Sequence, residues 1–197
     1  MGYITNLNEL SLLICEQYMP DVKVAVDITL GNGLDVQKFL PYIQEKLIAI
    51  DIQQQAIDVS KERLQKVLSE EEYSKIEFVT DNHVNIDRHV DRVDFVFGNL
   101  GYLPNSDHRI MTKSNTTLIC LDKALKLLNS NGLLSIISYL GQDRGQEHRS
   151  LCAFFESLDS KQYKVIHINP LNQDEMAPTL FLCQKLYDEP SQERGVF

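Results

Sequence analysis

The sequence predicts an α/β protein built on a doubly wound, mostly parallel sheet of seven strands. Apolar runs of strand length alternate with stretches of helical spacing along the chain, the pattern of βαβ units. Four of the runs end in a polar residue: Asp27, Asp51, Asp81 and Asn99. In open α/β sheets, ligands bind beyond the carboxyl ends of the strands, near the switch in strand order. The last two strands lack a spacer of helix length, so the final strand is expected to run antiparallel, in a hairpin with the one before.

Each element has its own signal. Apolar residues at 7, 10, 13 and 14 mark one face of a helix over residues 6 to 18, ended by Pro20. Strand one is expected at 22 to 28, a helix at 34 to 43 and strand two at 47 to 51. Ile57, Leu64, Val67 and Leu68 form the expected buried stripe of the next helix. Lys61, Glu62, Arg63 and Lys66 form its solvated face. Strands at 76 to 80 and 93 to 97 follow. A helix at 116 to 128 is expected to stop at Asn131-Gly132. Strand five covers 133 to 139 and a helix 146 to 158. The last two strands cover 163 to 168 and 180 to 186. The chain is read as one domain over residues 1 to 197, with a frayed tail at 187 to 197.

Composition narrows the class. At 197 residues, 43% hydrophobic and 24% charged, the chain has ordinary globular values and can bury a sizeable core. No apolar run reaches membrane-spanning length, and no signal core is seen, so a cytoplasmic protein is expected. Cys15, Cys120, Cys152 and Cys183 are scattered among apolar residues. They read as small buried hydrophobes rather than a disulfide framework or zinc site. A net charge of -9 argues against nucleic-acid binding through global charge and suits a cationic ligand.

The most informative stretch is Val24-Ala25-Val26-Asp27-Ile28-Thr29-Leu30-Gly31-Asn32-Gly33-Leu34-Asp35. An apolar, β-branched run breaks at two glycines and continues with helical spacing: a strand, a glycine turn and a helix start. Glycine lets the backbone approach a ligand where a Cβ would collide. The third glycine of a dinucleotide fingerprint is missing, which counts against a nicotinamide dehydrogenase. A ligand-free βα turn is the plain alternative. A second apolar strand, roughly 20 residues on, ends in Asp51, where such folds place a carboxylate on a ribose.

Taken together, these residues resemble a family. Asp27-x-x-x-Gly31-x-Gly33, Asp51, Asp81-Asn82-His83 and Asn99-Leu100-Gly101-Tyr102 resemble the motifs of Rossmann-like, class I methyltransferases that use S-adenosylmethionine. The finer run Asp27-x-Thr29-x-Gly31-Asn32-Gly33-x-Asp35, Asp51-Ile52-Gln53, Asp81-x-His83 and Asn99-Leu100-Gly101-Tyr102-Leu103-Pro104 is similar to one bacterial family. It was formerly labelled rRNA methylase and is now associated with methylation of tRNA 5-aminomethyl(-2-thio)uridine at the wobble position. The resemblance covers about residues 20 to 186. Departures are Asn82 in place of a serine, Asn105-Ser106 in place of glycines before Asp107, and Gly141-Gln142-Asp143-Arg144-Gly145 after strand five.

The resemblance implies S-adenosylmethionine as cofactor, held by Asp27, Gly31, Asn32, Gly33, Asp35, Asp51, Gln53, Asp81, Asn82, His83 and Asn99. It implies transfer of a methyl group to a primary amine. Asn99 Oδ1 and the Leu100 carbonyl would orient the amine, and Tyr102 would stack on the uracil. Asp107 or His108 would accept the released proton. Leu100, Gly101, Tyr102, Arg109, Lys113 and Arg144 are the implied substrate contacts, with His148 and Arg149 also offering positive charge. The expected partner is a tRNA anticodon loop; no membrane is expected, and a homodimer is one option. Another RNA, a protein amide or a small amine as acceptor, or a non-catalytic cofactor-binding subunit, stay as alternatives. The resemblance implies no metal.

Overall fold

The computed structural model describes residues 7–18, 21–100, 114–139, 145–173 and 177–187. Seven strands form one sheet in the order β3-β2-β1-β4-β5-β7-β6. β1 (Val22–Asp27), β2 (Ile43–Asp51), β3 (Ile76–Thr80), β4 (Val93–Asn99) and β5 (Leu128–Tyr139) run parallel to one another. β7 (Pro178–Lys185) inserts antiparallel between β5 and β6 (Tyr163–Ile168). The doubly wound mixed sheet and its antiparallel last strand are as the sequence predicts. Strand order reverses between β1 and β4, so the crevice beyond those two strand ends is the topological switch point.

The helices are α1 (Leu7–Tyr18), α2 (Leu34–Phe39), α3 (Gln54–Val67), α4 (Glu70–Ser74), α5 (Ser114–Leu127) and α6 (Gln146–Glu156). Both faces of the sheet are covered. On one face Ala25, Leu47, Phe95 and Phe97 pack with Leu7, Val36, Phe39 and Leu64 from α1, α2 and α3. The rings of Phe39, Phe95 and Phe97 lie 4.6–5.1 Å apart, within the range of favourable aromatic pairs. On the other face Val26, Ile48, Val96, Leu134 and Ile136 meet Leu121, Ala124, Leu151 and Phe155 from α5 and α6. Alternation along each strand therefore sorts its residues between two cores.

Several boundaries differ from the sequence reading, each for a local reason. The helix expected to reach residue 43 ends at Phe39. Pro41 then sits in a 3-10 turn (Leu40–Tyr42), and β2 starts at Ile43; proline has no N–H for an α-helix interior. Val67 is 51% exposed, so the buried stripe of α3 is Ala56, Ile57, Ser60 and Leu64 instead. α4 is not among the expected elements, although Ser69 and Glu72 make a reciprocal capping box and Ser-x-x-Glu is its sequence signature. Asn131-Gly132 does not stop α5. Asn131 has φ 65° inside β5, where the register against β4 slips between Val93 and Phe95. The end of α5 is capped instead by buried Lys185, whose Nζ donates to the carbonyls of Lys126 and Leu128 at 3.2 and 2.8 Å. Cys15, Cys120 and Cys183 are buried, and burial pushes each thiol up to about 12. Cys152 is only half-buried. Among the described residues, no helix is long and apolar enough to cross a membrane.

Candidate functional site

The loop from β1 to α2 is tied down by its own backbone. Ile28 N–H donates to Phe97 O at 3.0 Å and Leu30 N–H to Ile50 O at 2.9 Å, so the loop is anchored to both neighbouring strands. Gly31 (φ 53°) and Gly33 (φ 71°) are left-handed, a region that glycine enters without a Cβ penalty. A Cβ on Gly33 would lie 3.1 Å from Leu64 Cδ1 and 3.2 Å from Ser60 Oγ. The Gly31 carbonyl accepts from Ser60 Oγ at 2.7 Å. The Asn32 carbonyl accepts from Arg63 at 3.4 Å, and the same guanidinium donates to Gln37 Oε1 at 2.6 Å. Arg63 is thus half-buried against this loop and not part of a solvated face. Ser60 and Arg63 are supports that the sequence reading missed.

Three carboxylates converge here. Asp27 is 1% exposed. Its Oδ1 accepts from Thr29 N–H at 2.9 Å, and its Oδ2 is buried with no hydrogen-bond partner among the described residues. Burial, followed by the nearby charges of Asp35 and Asp51, pushes its carboxyl well above the usual range despite the Thr29 amide. Asp35, in the first turn of α2, is likewise raised by burial, partly offset by Lys38. Lys38 also pairs with Glu9 of α1 at 2.7 Å. Asp51 accepts from Gly31 N–H and Gln53 N–H, both at 2.9 Å, and burial still outweighs those amides in raising it. An orphaned acceptor among like charges is costly; a cation placed beside it would lower that cost. Two exposed apolar side chains flank the acids, Leu34 at 54% and Ile52 at 58% exposure.

Across the switch point, β4 delivers Asn99. Its N–H donates to Thr29 Oγ1 at 2.8 Å, which locks the end of β4 to the glycine loop. The Asn99 side chain lies beside Asp35 and Tyr139, the last residue of β5, and its amide partly offsets the upward push that burial gives each of them. Tyr139 too is absent from the residues singled out in the sequence. Leu100 is buried, and its N–H donates to Ile137 O at 2.8 Å; its side chain packs in the core, leaving the carbonyl as its polar group. Gly98 beneath has no room for a Cβ, which would lie 2.6 Å from Ile28 Cγ1.

The end of β3 is a self-contained network. Asp81 Oδ1 accepts from Asn82 N–H at 2.7 Å and Asn85 Nδ2 at 2.8 Å, and its Oδ2 lies 2.9 Å from His89 Nε2. The Asn85 amide, then His89, hold the Asp81 carboxyl down to about 2. Asn82 Oδ1 caps the following 3-10 turn through Val84 N–H at 3.1 Å. His83 lies against the Thr116 backbone, its Nε2 is buried without a partner among the described residues, and burial lowers its affinity for protons. Gln53 stands before α3, with its N–H on Asp51.

The structure therefore brings together Asp27, Gly31, Asn32, Gly33, Asp35, Asp51, Gln53 and Asn99 around the glycine loop, with Asp81, Asn82 and His83 beyond β3. Gly101, Tyr102, Asp107, His108, Arg109, Lys113 and Arg144 lie outside the described residues. His148 lies in α6 and is half-buried. Its ring packs 5.4 Å from His167 and 5.6 Å from Phe181, it lies 3.4 Å from Thr179 Oγ1, and burial favours its neutral form.

Comparison with known proteins places this geometry. Residues 47–184 match the family described as "Putative rRNA methylase". The chain is 30% identical over 199 residues to the tRNA (mnm(5)s(2)U34)-methyltransferase, chloroplastic, of Arabidopsis thaliana, covering 94% of this chain and 72% of that protein. A crystal structure from Clostridium thermocellum with the family's own description superposes with a TM-score of 0.86 at 30% identity, covering 93% of this chain and 99% of that one. A Streptococcus mutans protein solved in complex with SAH gives a TM-score of 0.83 at 30% identity, with the same coverage. That relative, with its adenosyl ligand, supports the S-adenosylmethionine expected from the sequence. By the match over most of its length and by its fold, the chain belongs to this rRNA-methylase family of class I, S-adenosylmethionine-dependent methyltransferases.

Proposed function

We propose that the protein is an S-adenosylmethionine-dependent N-methyltransferase that methylates the aminomethyl group of 5-aminomethyl(-2-thio)uridine at the wobble position of tRNA. The observation that carries the reading is Asn99. It is an amide at the switch point, its backbone tied to Thr29 of the glycine loop that follows Asp27. The finer substrate rests on the Arabidopsis relative, whose name carries that modification.

The residues present fit the cofactor. The Oδ2 of Asp27, partnerless among the described residues and with Asp35 and Asp51 beside it, suits a ligand bearing positive charge. The left-handed glycines keep the loop low enough for close approach. Ile52 and Leu34 offer apolar surface at the mouth. When bound, the cofactor supplies an electrophilic methyl group on a sulfonium.

The chain's own contribution is alignment. Asn99 Oδ1 and the Leu100 carbonyl accept the two protons of a neutral amine and aim its lone pair, and neither group is a charged base. The family resemblance assigns Tyr102 to stacking on the uracil and Asp107 or His108 to accepting the proton lost after transfer. Arg109, Lys113 and Arg144 are the proposed phosphate contacts. A wobble base is already single-stranded, so presenting it costs little.

The test is mass spectrometry of nucleosides from tRNA that lacks the terminal methyl, after incubation with protein and S-adenosylmethionine. Conversion of the aminomethyl to the methylaminomethyl nucleoside supports the reading. Methylation of another RNA, a protein or a free amine instead would replace it.

A further inference from the structure

We propose that Thr29 is a positioning residue that fixes the spacing between the methyl donor and the acceptor amine. Its backbone N–H holds Asp27 on the cofactor side, and its hydroxyl holds Asn99 on the acceptor side. The inference rests on the methyl-transfer reading above and adds one residue to it.

Strand geometry shows why a side chain is needed there. β1 and β4 pair in register as far as Asp27 and Phe97, and Ile28 N–H still donates to Phe97 O at 3.0 Å. The next bond of a parallel ladder would run from Asn99 N–H to the Ile28 carbonyl. The Asn99 N–H goes instead to Thr29 Oγ1, at 2.8 Å. By then the β1 chain has turned toward β2, where Leu30 N–H donates to Ile50 O at 2.9 Å. A hydroxyl thus extends the ladder by one bond across the switch point, where the connections of the two strands part in opposite directions. On its other edge, β4 is held by Leu100 N–H on Ile137 O at 2.8 Å, so Thr29 supplies the tie on the cofactor side.

The direction of both bonds is fixed, because both donors are backbone amides. Thr29 N–H donates to Asp27 Oδ1 at 2.9 Å, the local pattern in which an acid side chain takes the amide two residues on. That bond holds the carboxyl whose other oxygen is buried without a partner among the described residues. One half-buried residue therefore touches both the acid that suits the sulfonium and the residue that aims the amine. Gly98 permits the close approach of the two strand ends. A Cβ there would lie 2.6 Å from Ile28 Cγ1 and 3.4 Å from Thr29 Oγ1. Threonine suits the position because a β-branched side chain is stiff at χ1, which keeps the hydroxyl in one place. Methyl transfer needs the reacting atoms aligned about 3–3.5 Å apart, and a misplacement of about 1 Å can cost about a hundredfold in rate.

The experiment uses the full-length protein with Thr29→Val, which keeps the shape and loses the acceptor, and Thr29→Ser, which keeps the oxygen. Thr29→Ala is a second variant without the acceptor. The Asn99 backbone amide is followed by NMR in ligand-free protein labelled with nitrogen-15 asparagine, its signal assigned by loss in Asn99→Ala. SAH affinity, tRNA affinity and the single-turnover rate of methyl transfer are measured on the same samples. In Thr29→Val and Thr29→Ala, exchange of the Asn99 amide proton should quicken by about tenfold. The transfer rate should fall by about tenfold, the equivalent of one lost hydrogen bond. SAH and tRNA affinities should stay within about threefold, which a general loss of structure would not allow. Thr29→Ser should recover most of both losses. An unchanged transfer rate in Thr29→Val, a Thr29→Ser protein as slow as Thr29→Val, or a loss of SAH affinity that matches the loss of rate would overturn the proposal. If the wild-type protein methylates no such tRNA, the acceptor reading is what fails, and the Asn99 amide alone decides the role of Thr29. An amide freed in Thr29→Val and Thr29→Ala but held in Thr29→Ser supports that role, and one held in all three overturns it.

Discussion

Asp27→Asn is expected to stabilise the ligand-free protein while weakening cofactor binding. Asp27 is 1% exposed, one of its oxygens has no partner among the described residues, and burial with two neighbouring acids pushes its carboxyl well above the usual range. An unfolded aspartate titrates near about 3.9. Between that value and the raised native one, the native state binds more protons than the unfolded state. Stability therefore falls as pH rises through that window. The isosteric amide keeps the acceptor for Thr29 N–H, which Asp27 supplies at 2.9 Å, and removes the charge. The amide Nδ2 would be as unpartnered as the oxygen it replaces, so the gain comes from removing the buried charge and is about 1–3 kcal/mol. For a chain of this length that corresponds to roughly 2–4 °C of Tm per kcal/mol. The gain should grow as the pH rises above the unfolded value and vanish as the pH approaches it. S-adenosylmethionine should reverse the order, because its positive charge needs the ionised Asp27. Thermal melts of both proteins, with and without cofactor, over about pH 5–8 measure all of this. If Asp27→Asn melts lower than the wild type without ligand, yet binds cofactor equally well, the electrostatic reasoning is refuted.

Other perturbations have separate outcomes. Asn99→Ala should lower kcat by about a hundredfold or more while SAH affinity in calorimetry falls by far less, since Asn99 is one of many implied cofactor contacts but the proposed aligner of the acceptor. Gly98→Ala should cost about 1–3 kcal/mol by overpacking, because its Cβ would sit 2.6 Å from Ile28 Cγ1; chemical denaturation reads this directly. Asp81 is held down to about 2 by Asn85 and His89. Its stabilising contribution is complete above the unfolded value and is lost as pH falls through the native one. The penalty of Asp81→Asn in urea melts should thus be present at neutral pH and shrink on acidification.

Much of this architecture is written locally. The β1 run, its two glycines and Asp27 specify strand, turn and helix within a dozen residues, and the polar ends of β2, β3 and β4 follow from the same alternation. What the sequence hides depends on distant contacts. Arg63 reads as one of four charged residues on a helix face, yet the helix carries it back to Asn32 and Gln37. Tyr139 reads as the end of an apolar strand, and only β4–β5 pairing brings it to Asn99. Lys185 lies 57 residues from the Leu128 carbonyl that it caps, so Asn131-Gly132 reads as the stop signal. His148 reads as a loop cation because its packing against β6 and β7 is invisible in one dimension. The capping box at Ser69 and Glu72 is different: its signal is local and legible without any tertiary contact.

Nucleoside mass spectrometry on tRNA bearing 5-aminomethyluridine, with wild-type protein and Asn99→Ala side by side, bears most directly on methyl transfer at the switch point. With S-adenosylmethionine, the wild-type protein should convert the aminomethyl nucleoside to its monomethylated form, and Asn99→Ala should leave it unconverted while still binding SAH. Equal conversion by both proteins, or none by a wild-type protein that binds SAH, would contradict an asparagine-aligned amine as the acceptor.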